Sequence, residues 1–251
     1  MSTVRLCYTV DGPPDAPTLL LGGSLGSTGQ MWEPQVARLA QRMRVVRFDH
    51  RGHGGSPVPL GPYTVDHLGN DVLALLDHLG VARAHYAGLS LGGMVGMWLA
   101  AHAPDRVDRL ALLCTGAHLP PAQGWLDRAA AVRAGGLAAV ADAVVARWFT
   151  PAFTNIAQWR AMLVATPAQG YAACCEAIAA LDLRPALRGI SAPTLVIAGA
   201  ADPATPPELG EQIARAVPGA RFAIVADAAH LANVERPGVV ADLLAQHLEE
   251  A

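Results

Sequence analysis

The sequence predicts an α/β protein in which helices on both faces cover a mainly parallel sheet. Three observations predict it. Short apolar strand-like runs alternate with amphipathic helical runs along most of the chain. A Gly88-Leu89-Ser90-Leu91-Gly92 turn joins one strand to one helix. A single long stretch, Leu119 to Arg188, carries helical spacing and no strand pattern. Strands separated by helices pair in parallel, because each crossover returns the chain to the same edge of the sheet.

Each element follows from local pattern. Val4–Val10 reads as an opening strand, closed by the turn Asp11-Gly12-Pro13-Pro14. Thr18–Leu21 is a short apolar strand running into Gly22-Gly23-Ser24-Leu25-Gly26. Helical spacing over Trp32–Ala40 precedes a strand over Val45–Phe48. A Gly-rich loop, 49–57, follows; its His50 and His53 flank Arg51-Gly52 as turn residues, with no metal-ligand spacing. Leu68, Val72, Leu75, Leu76 and Leu79 form one face of a helix over Asp66–Leu79. Next come a strand at 84–87, the Ser90 turn, a helix over 91–103 and a strand over Arg109–Cys114. After the helical stretch the alternation resumes, with strands at Thr194–Ala198 and Arg221–Val225 and helices at Pro207–Val217 and Val239–Glu250. A segment as long as 119–188 is too long for a structureless loop in a compact domain. The expected organisation is a core of 1–118 and 189–251 with a helical cap of 119–188 over the carboxyl ends of the strands, where ligands bind in open α/β sheets.

Composition narrows the chemistry. All 18 basic residues are arginine. The lack of lysine excludes a P-loop, a lysine Schiff base and a Ser-Lys dyad. A net charge of −3 gives no reason to expect nucleic acid or an anionic membrane as partner. No apolar run reaches the length of a membrane span, and Met1-Ser2-Thr3-Val4-Arg5 has no apolar signal core, so a cytoplasmic protein is expected. Cys7, Cys114, Cys174 and Cys175 have no zinc spacing, and the adjacent pair reads as small packing residues of a helix. No metal or organic cofactor is expected.

The Ser90 turn matches Gly-x-Ser-x-Gly, a sharp strand-to-helix bend that lifts a serine hydroxyl above the sheet. A serine needs a histidine to take its proton and a carboxylate to orient that histidine, and on this kind of scaffold they follow in the order Ser, acid, His. Asp202 lies just beyond the strand at 194–198, and His230 lies beyond the strand at 221–225, among Ala228, Ala229, Leu231 and Ala232. Asp227 is a rival acid, three residues from His230. The oxyanion donors would be the backbone N–H groups of Leu91, after the nucleophile, and of Leu25, in the first Gly-rich loop.

With these residues the chain resembles the α/β-hydrolase superfamily, and within it the 3-oxoadipate enol-lactonases of the β-ketoadipate pathway. The resemblance rests on Ser24-Leu25-Gly26-Ser27 with Met31-Trp32-Glu33-Pro34-Gln35, on the segments 49–54 and 88–94, and on the late segments 192–199, 202–207 and 230–237. Two segments of the expected cap are more specific: 131–136 with Arg147-Trp148-Phe149-Thr150-Pro151, and Gly170-Tyr171-Ala172-Ala173-Cys174-Cys175-Glu176-Ala177-Ile178. Two positions depart from the family pattern. Gly22-Gly23 stands where more polar residues are usual, and Ala201 where a further aspartate is common.

The resemblance implies hydrolysis of an anionic lactone by Ser90, Asp202 and His230 through an acyl-enzyme. Other α/β-hydrolase activities compete: a general esterase, a C–C bond hydrolase, a cofactor-free perhydrolase, or a non-catalytic ligand-binding protein. The carboxylate of an enol-lactone arm would need an arginine in a chain without lysine. The expected cap offers Arg128, Arg133, Arg147, Arg160 and Arg184. Arg133 is favoured, because it lies in an Ala/Val-rich helical run just before Gly135-Gly136, with Trp148 as the apolar wall over the ring.

Overall fold

The computed structural model describes residues 2–249. Glu250, the expected end of the last helix, lies outside the described residues, as do Met1 and Ala251.

Seven strands form one sheet: β1 (Tyr8–Asp11), β2 (Thr18–Gly22), β3 (Arg44–Phe48), β4 (Ala84–Leu89), β5 (Val107–Leu113), β6 (Thr194–Gly199) and β7 (Arg221–Val225). Their order is β1-β3-β2-β4-β5-β6-β7. β1 runs antiparallel to β3, and the other neighbours are parallel. Every residue of β2, β4 and β6 is buried. Burial on both faces explains why these strands read as continuous apolar runs and not as alternating ones.

The core helices are α1 (Glu33–Leu39), α2 (Val65–His78) and α3 (Leu91–His102). Four more, α4 (Ala122–Gly135), α5 (Ala141–Trp148), α6 (Ala157–Val164) and α7 (Ala168–Ala179), lie between β5 and β6. The chain closes with α8 (Pro207–Ala216), α9 (Ala232–Glu235) and α10 (Pro237–Glu249). α1 packs on α10, α2 on α3, and α4 along α7. The α/β class with a mainly parallel sheet is as the sequence predicts, and the stretch between β5 and β6 is helical.

One expected strand is shorter than its pattern. Val4–Cys7 is not in the ladder, and the first strand begins at Tyr8. The N–H groups of the early segment are taken by side chains: Val4 donates to Asp71 at 2.8 Å and Cys7 to the Ser56 hydroxyl at 2.8 Å. With those donors satisfied by side chains distant in sequence, these two residues have no need of a strand ladder.

Arg51, in the Gly-rich loop, makes a two-pronged buried pair with Asp71 on α2, at 2.6 and 2.7 Å. It also donates to the backbone carbonyl of Ser2 at 3.2 Å. The turn arginine thus fastens the loop to α2 and serves no ligand.

The helical insertion meets this loop through a backbone contact. Gly52 has φ +77°, and a Cβ there would sit 2.5 Å from Gly170 Cα on α7. A Cβ on Gly170 would sit 2.2 Å from the Gly52 carbonyl oxygen. Neither backbone can yield cheaply, so Gly170→Ala should push α7 away from the core. The expected cost is about 1–3 kcal/mol, seen as a lower urea midpoint with an unchanged m-value.

Candidate active site

The carboxyl ends of β4, β6 and β7 and the helical insertion enclose a small cavity. Its walls include Ser24, Leu25, Ser90, Trp125, Arg128, Arg147, Trp148, Tyr171, Thr205 and His230. A wider groove of about 720 Å³ lies elsewhere, against α6, with Glu33 as the one charged residue in its lining among the described residues. Among the described residues its lining lacks a histidine beside a serine, so the smaller cavity is the candidate site.

Ser90 connects β4 to α3 with φ 56° and ψ −111°. Such a conformation is costly for a residue with a Cβ and persists only where its surroundings hold it. The flanking glycines show what holds it. A Cβ on Gly88 would lie 2.2 Å from the Gly92 carbonyl oxygen, and one on Gly92 would lie 2.3 Å from that of Gly22. The Ser90 N–H donates to Leu113 O at 2.9 Å, and its carbonyl accepts the Thr115 hydroxyl at 2.7 Å. The turn is thereby tied to β5 on both sides.

His230 and Asp202 are buried and adjacent. His230 Nδ1 lies 2.8 Å from Asp202 Oδ2. That bond puts the imidazole proton on Nδ1 and leaves Nε2 as an acceptor. Asp202 is fully engaged: Oδ1 accepts the N–H groups of Ala204 and Thr205 at 2.8 and 3.0 Å, and Oδ2 also accepts the Thr205 hydroxyl at 2.7 Å. Burial pushes the Asp202 carboxyl upward, but His230 beside it and the Thr205 hydrogen bonds outweigh burial, and its pKa falls. The rival Asp227 is exposed, with φ 51°, and its carboxylate lies 3.6 Å from Arg236.

The two expected oxyanion donors sit at the same end of the sheet. Leu91 is the first residue of α3, and Leu25 lines the cavity. Among the described residues neither N–H is spent on a backbone acceptor. The Leu25 loop is held by parts that the sequence pattern does not show as functional. Gly92 N–H donates to Gly23 O at 3.0 Å. Gly26 N–H donates to His53 Nε2 at 2.9 Å, while His53 Nδ1 is 3.2 Å from Arg51 O. His50 Nε2 lies 3.2 Å from Gly23 O. Both histidines are therefore turn residues that brace the loop.

Trp148 is buried in the cavity wall. Arg133 is not brought to the cavity, which corrects the sequence expectation. Its guanidinium is exposed and grips Glu176 on α7 in a two-pronged pair at 2.5 and 3.0 Å. The reason is helical phase. Five residues on a 3.6-residue repeat put Arg133 about 140° around α4 from Arg128. Arg128 shares a face with Trp125, three residues before it, and lies over the Trp125 ring at 4.6 Å. Arg128 and Arg147 line the cavity in place of Arg133. Burial first, then Arg128, pulls the Arg147 pKa down.

Tyr171 is a residue that sequence reasoning missed. Its side chain lines the same cavity, and its buried hydroxyl has no hydrogen-bond partner among the described residues. Arg128 is near enough to affect its titration without the geometry of a hydrogen bond. Burial and Cys175 push the phenol up to about 12, so it is a donor at neutral pH.

The loop histidines generate a pH prediction. Burial lowers the His53 pKa, and it lowers that of His50 to about 3. Both stay neutral in the folded chain while the unfolded chain takes up protons below about 6.5. Their contribution is complete above that value and is lost as pH falls below it. Urea stability should decline from pH 6.5 to 5.5, by up to about 1.4 kcal/mol per histidine per pH unit. His53→Gln should flatten that slope, and an unchanged slope would reject the brace.

Comparisons with known proteins agree with this geometry. The alpha/beta hydrolase fold family matches residues 17–237. 3-Oxoadipate enol-lactonase 2 of Acinetobacter baylyi is 41% identical over 239 residues, covering 93% of this chain and 89% of the relative. The crystal structure of the enol-lactonase from Burkholderia xenovorans LB400 superposes with a TM-score of 0.96 at 44% identity, covering 98% of this chain and 97% of that one. A thermophilic esterase from Thermogutta terrifontis superposes at 0.91 with 29% identity, covering 98% and 93%.

Proposed function

Because the chain belongs to the α/β-hydrolase fold family, we propose that the small cavity is a serine-hydrolase active site that opens 3-oxoadipate enol-lactone to 3-oxoadipate. The observation that carries this reading is one cavity shared by Ser90, His230 backed by Asp202, and two arginines that have no carboxylate partner among the described residues. The relatives named as enol-lactonases supply the substrate.

In this reading Ser90 Oγ attacks the lactone carbonyl while His230 Nε2 takes its proton. The oxyanion faces the Leu25 and Leu91 N–H groups. Collapse breaks the ring C–O bond, and His230 returns the proton to the departing enol oxygen. The enol tautomerises to a ketone, which makes it a better leaving group than an alkoxide. The acyl group stays on Ser90 until water, activated by His230, releases it. Asp202 keeps the proton on Nδ1 and stabilises the imidazolium.

The substrate arm ends in a carboxylate, and an unpaired charge in a partly dry cavity is expensive. Arg128 and Arg147 supply the countercharge, and the unpartnered Tyr171 hydroxyl supplies a third donor. Two like charges facing one space favour an anion between them. Residues 119–188 act as the cap that brings these groups over Ser90, and 1–118 with 189–251 form the core. Four free cysteines suit a reducing cytoplasm, in line with a place in aromatic catabolism.

The direct test is turnover of the enol-lactone. Ser90→Ala should lower kcat/KM by about 10³-fold or more and abolish fluorophosphonate labelling. Activity within about tenfold of the parent would discard Ser90 as nucleophile. Arg128→Ala should lower kcat/KM for the anionic lactone by about 10- to 150-fold, the worth of a charge-assisted contact, and spare a neutral aryl ester. Equal losses on both would assign Arg128 to holding the helices, and a parent enzyme that turned over only neutral esters would make the protein a carboxylesterase.

A further inference from the structure

One buried carboxylate has no part in the chemistry above. Glu235 closes α9 at 7% exposure. Among the described residues it has no guanidinium or imidazole partner; neutral donors take both oxygens. Oε2 accepts the Ala229 N–H at 2.5 Å. Oε1 accepts both the N–H and the hydroxyl of Thr150, at 2.9 and 2.7 Å.

The two ends of this link matter. Ala229 immediately precedes His230. Thr150 follows α5, whose last residues Arg147 and Trp148 line the cavity. A second bond runs beside the first: Leu231 N–H donates to Trp148 O at 2.9 Å. The backbone is thus tied to the 148–150 segment on both sides of His230, directly at 231 and through the Glu235 carboxylate at 229.

We propose that Glu235 is a positioning residue, which sets the His230 loop and the Trp148–Thr150 wall in one register. The inference rests on the reading of His230 as the base. It explains why a carboxylate is buried here without a cation. Three donors converge and no acceptor faces them, so only a group with acceptors on both sides satisfies the site. An amide of the same shape does not. Its oxygen would go to the two Thr150 donors, and its NH2 would then face the Ala229 N–H. The mismatch falls on the histidine side of the link. The complementary change, Thr150→Val, removes one donor on the insertion side and leaves the backbone bond in place.

The test compares kcat and KM on a neutral aryl ester, together with the rate of Ser90 acylation by a fluorophosphonate, well below the Tm of each variant. Glu235→Gln should lower kcat and the acylation rate by about 10- to 100-fold, the penalty for a misplaced catalytic group, with KM changed less than about threefold. Thr150→Val should lower kcat by about threefold to tenfold, less than a full charge-assisted hydrogen bond is worth, because the Thr150 N–H bond to the carboxylate stays, with KM again unmoved. It serves as the deciding variant if Glu235→Gln does not fold. His230→Ala in the same assays separates the two layers of argument. If it keeps the parent rate, the base assignment fails. If it is inactive while Glu235→Gln, or in its place Thr150→Val, keeps the parent kcat, the positioning role alone is overturned. Losses that appear only in KM, or only near the Tm, also overturn it.

Discussion

The candidate site depends on one steric constraint: three backbone segments meet at the Ser90 turn with no room for a side chain. Gly22, Gly88 and Gly92 occupy the contact, and a Cβ on Gly88 or Gly92 would lie within 2.3 Å of a carbonyl oxygen. The close approach lets the start of α3 lie directly on the ends of β2 and β4. The chain can then turn only by placing Ser90 at positive φ, and Ser90 lines the cavity at that end of the sheet. The same contact brings Gly92 N–H to Gly23 O, so the loop carrying Leu25 is fixed relative to the residue that follows the serine. Ser90 and the N–H groups of Leu25 and Leu91, the proposed nucleophile and oxyanion donors, are therefore set by one packing event. That is the economy of building a site on strand ends: the sheet supplies the precision.

A second layer of support comes from polar side chains that touch no substrate. His50 and His53 brace the Leu25 loop from below, and Thr115 holds the Ser90 carbonyl from β5. Thr115 stands just after β5, a place where a triad acid could sit, and its hydroxyl works instead on the serine backbone. The proposed acid, Asp202, stands one strand over, after β6. The loop bearing Asp202 packs on the His230 loop closely enough that a Cβ on Gly199 would lie 2.2 Å from Ala229 O. Acid and base loops are thus fitted to each other before their side chains meet.

The sheet and the placing of Ser90, Asp202 and His230 beyond strand ends were legible in the sequence because each rests on local signals. A parallel strand buried on both faces announces itself as an apolar run, and a loop beyond it places its residues at the carboxyl rim. Asp202 and His230 could be placed by counting strands. What failed depended on rotation and on long-range partners. Choosing Arg133 over Arg128 required the phase of α4, and an Ala-rich helix exposed along much of its length gives little hydrophobic contrast to set it. The better signal was present: Trp125 and Arg128 are three residues apart, and an aromatic residue shows which face looks inward. The bracing by His53 and the link through Glu235 were invisible for another reason. Their partners, Gly26 and Thr150, are distant in sequence and contribute backbone N–H groups, which every residue has.

The three carboxylates buried among the described residues, Asp71, Asp202 and Glu235, meet two kinds of partner. Asp71 meets a guanidinium, and that pair locks a loop to a helix with its charges cancelled. Asp202 and Glu235 meet hydroxyls and backbone N–H groups. Those donors compensate for desolvation while leaving the net charge in place. In the proposed mechanism, an arginine paired with Asp202 would weaken the field that acts on His230 as its imidazole gains a proton. Dipoles solvate the carboxylate without cancelling that field. In a chain whose only strong cations are arginines, none among the described residues pairs with Asp202, while Arg128 and Arg147 line the cavity. In the proposed reading those two arginines are the countercharge for a substrate anion, and Asp202 is held at Nδ1 of the imidazole.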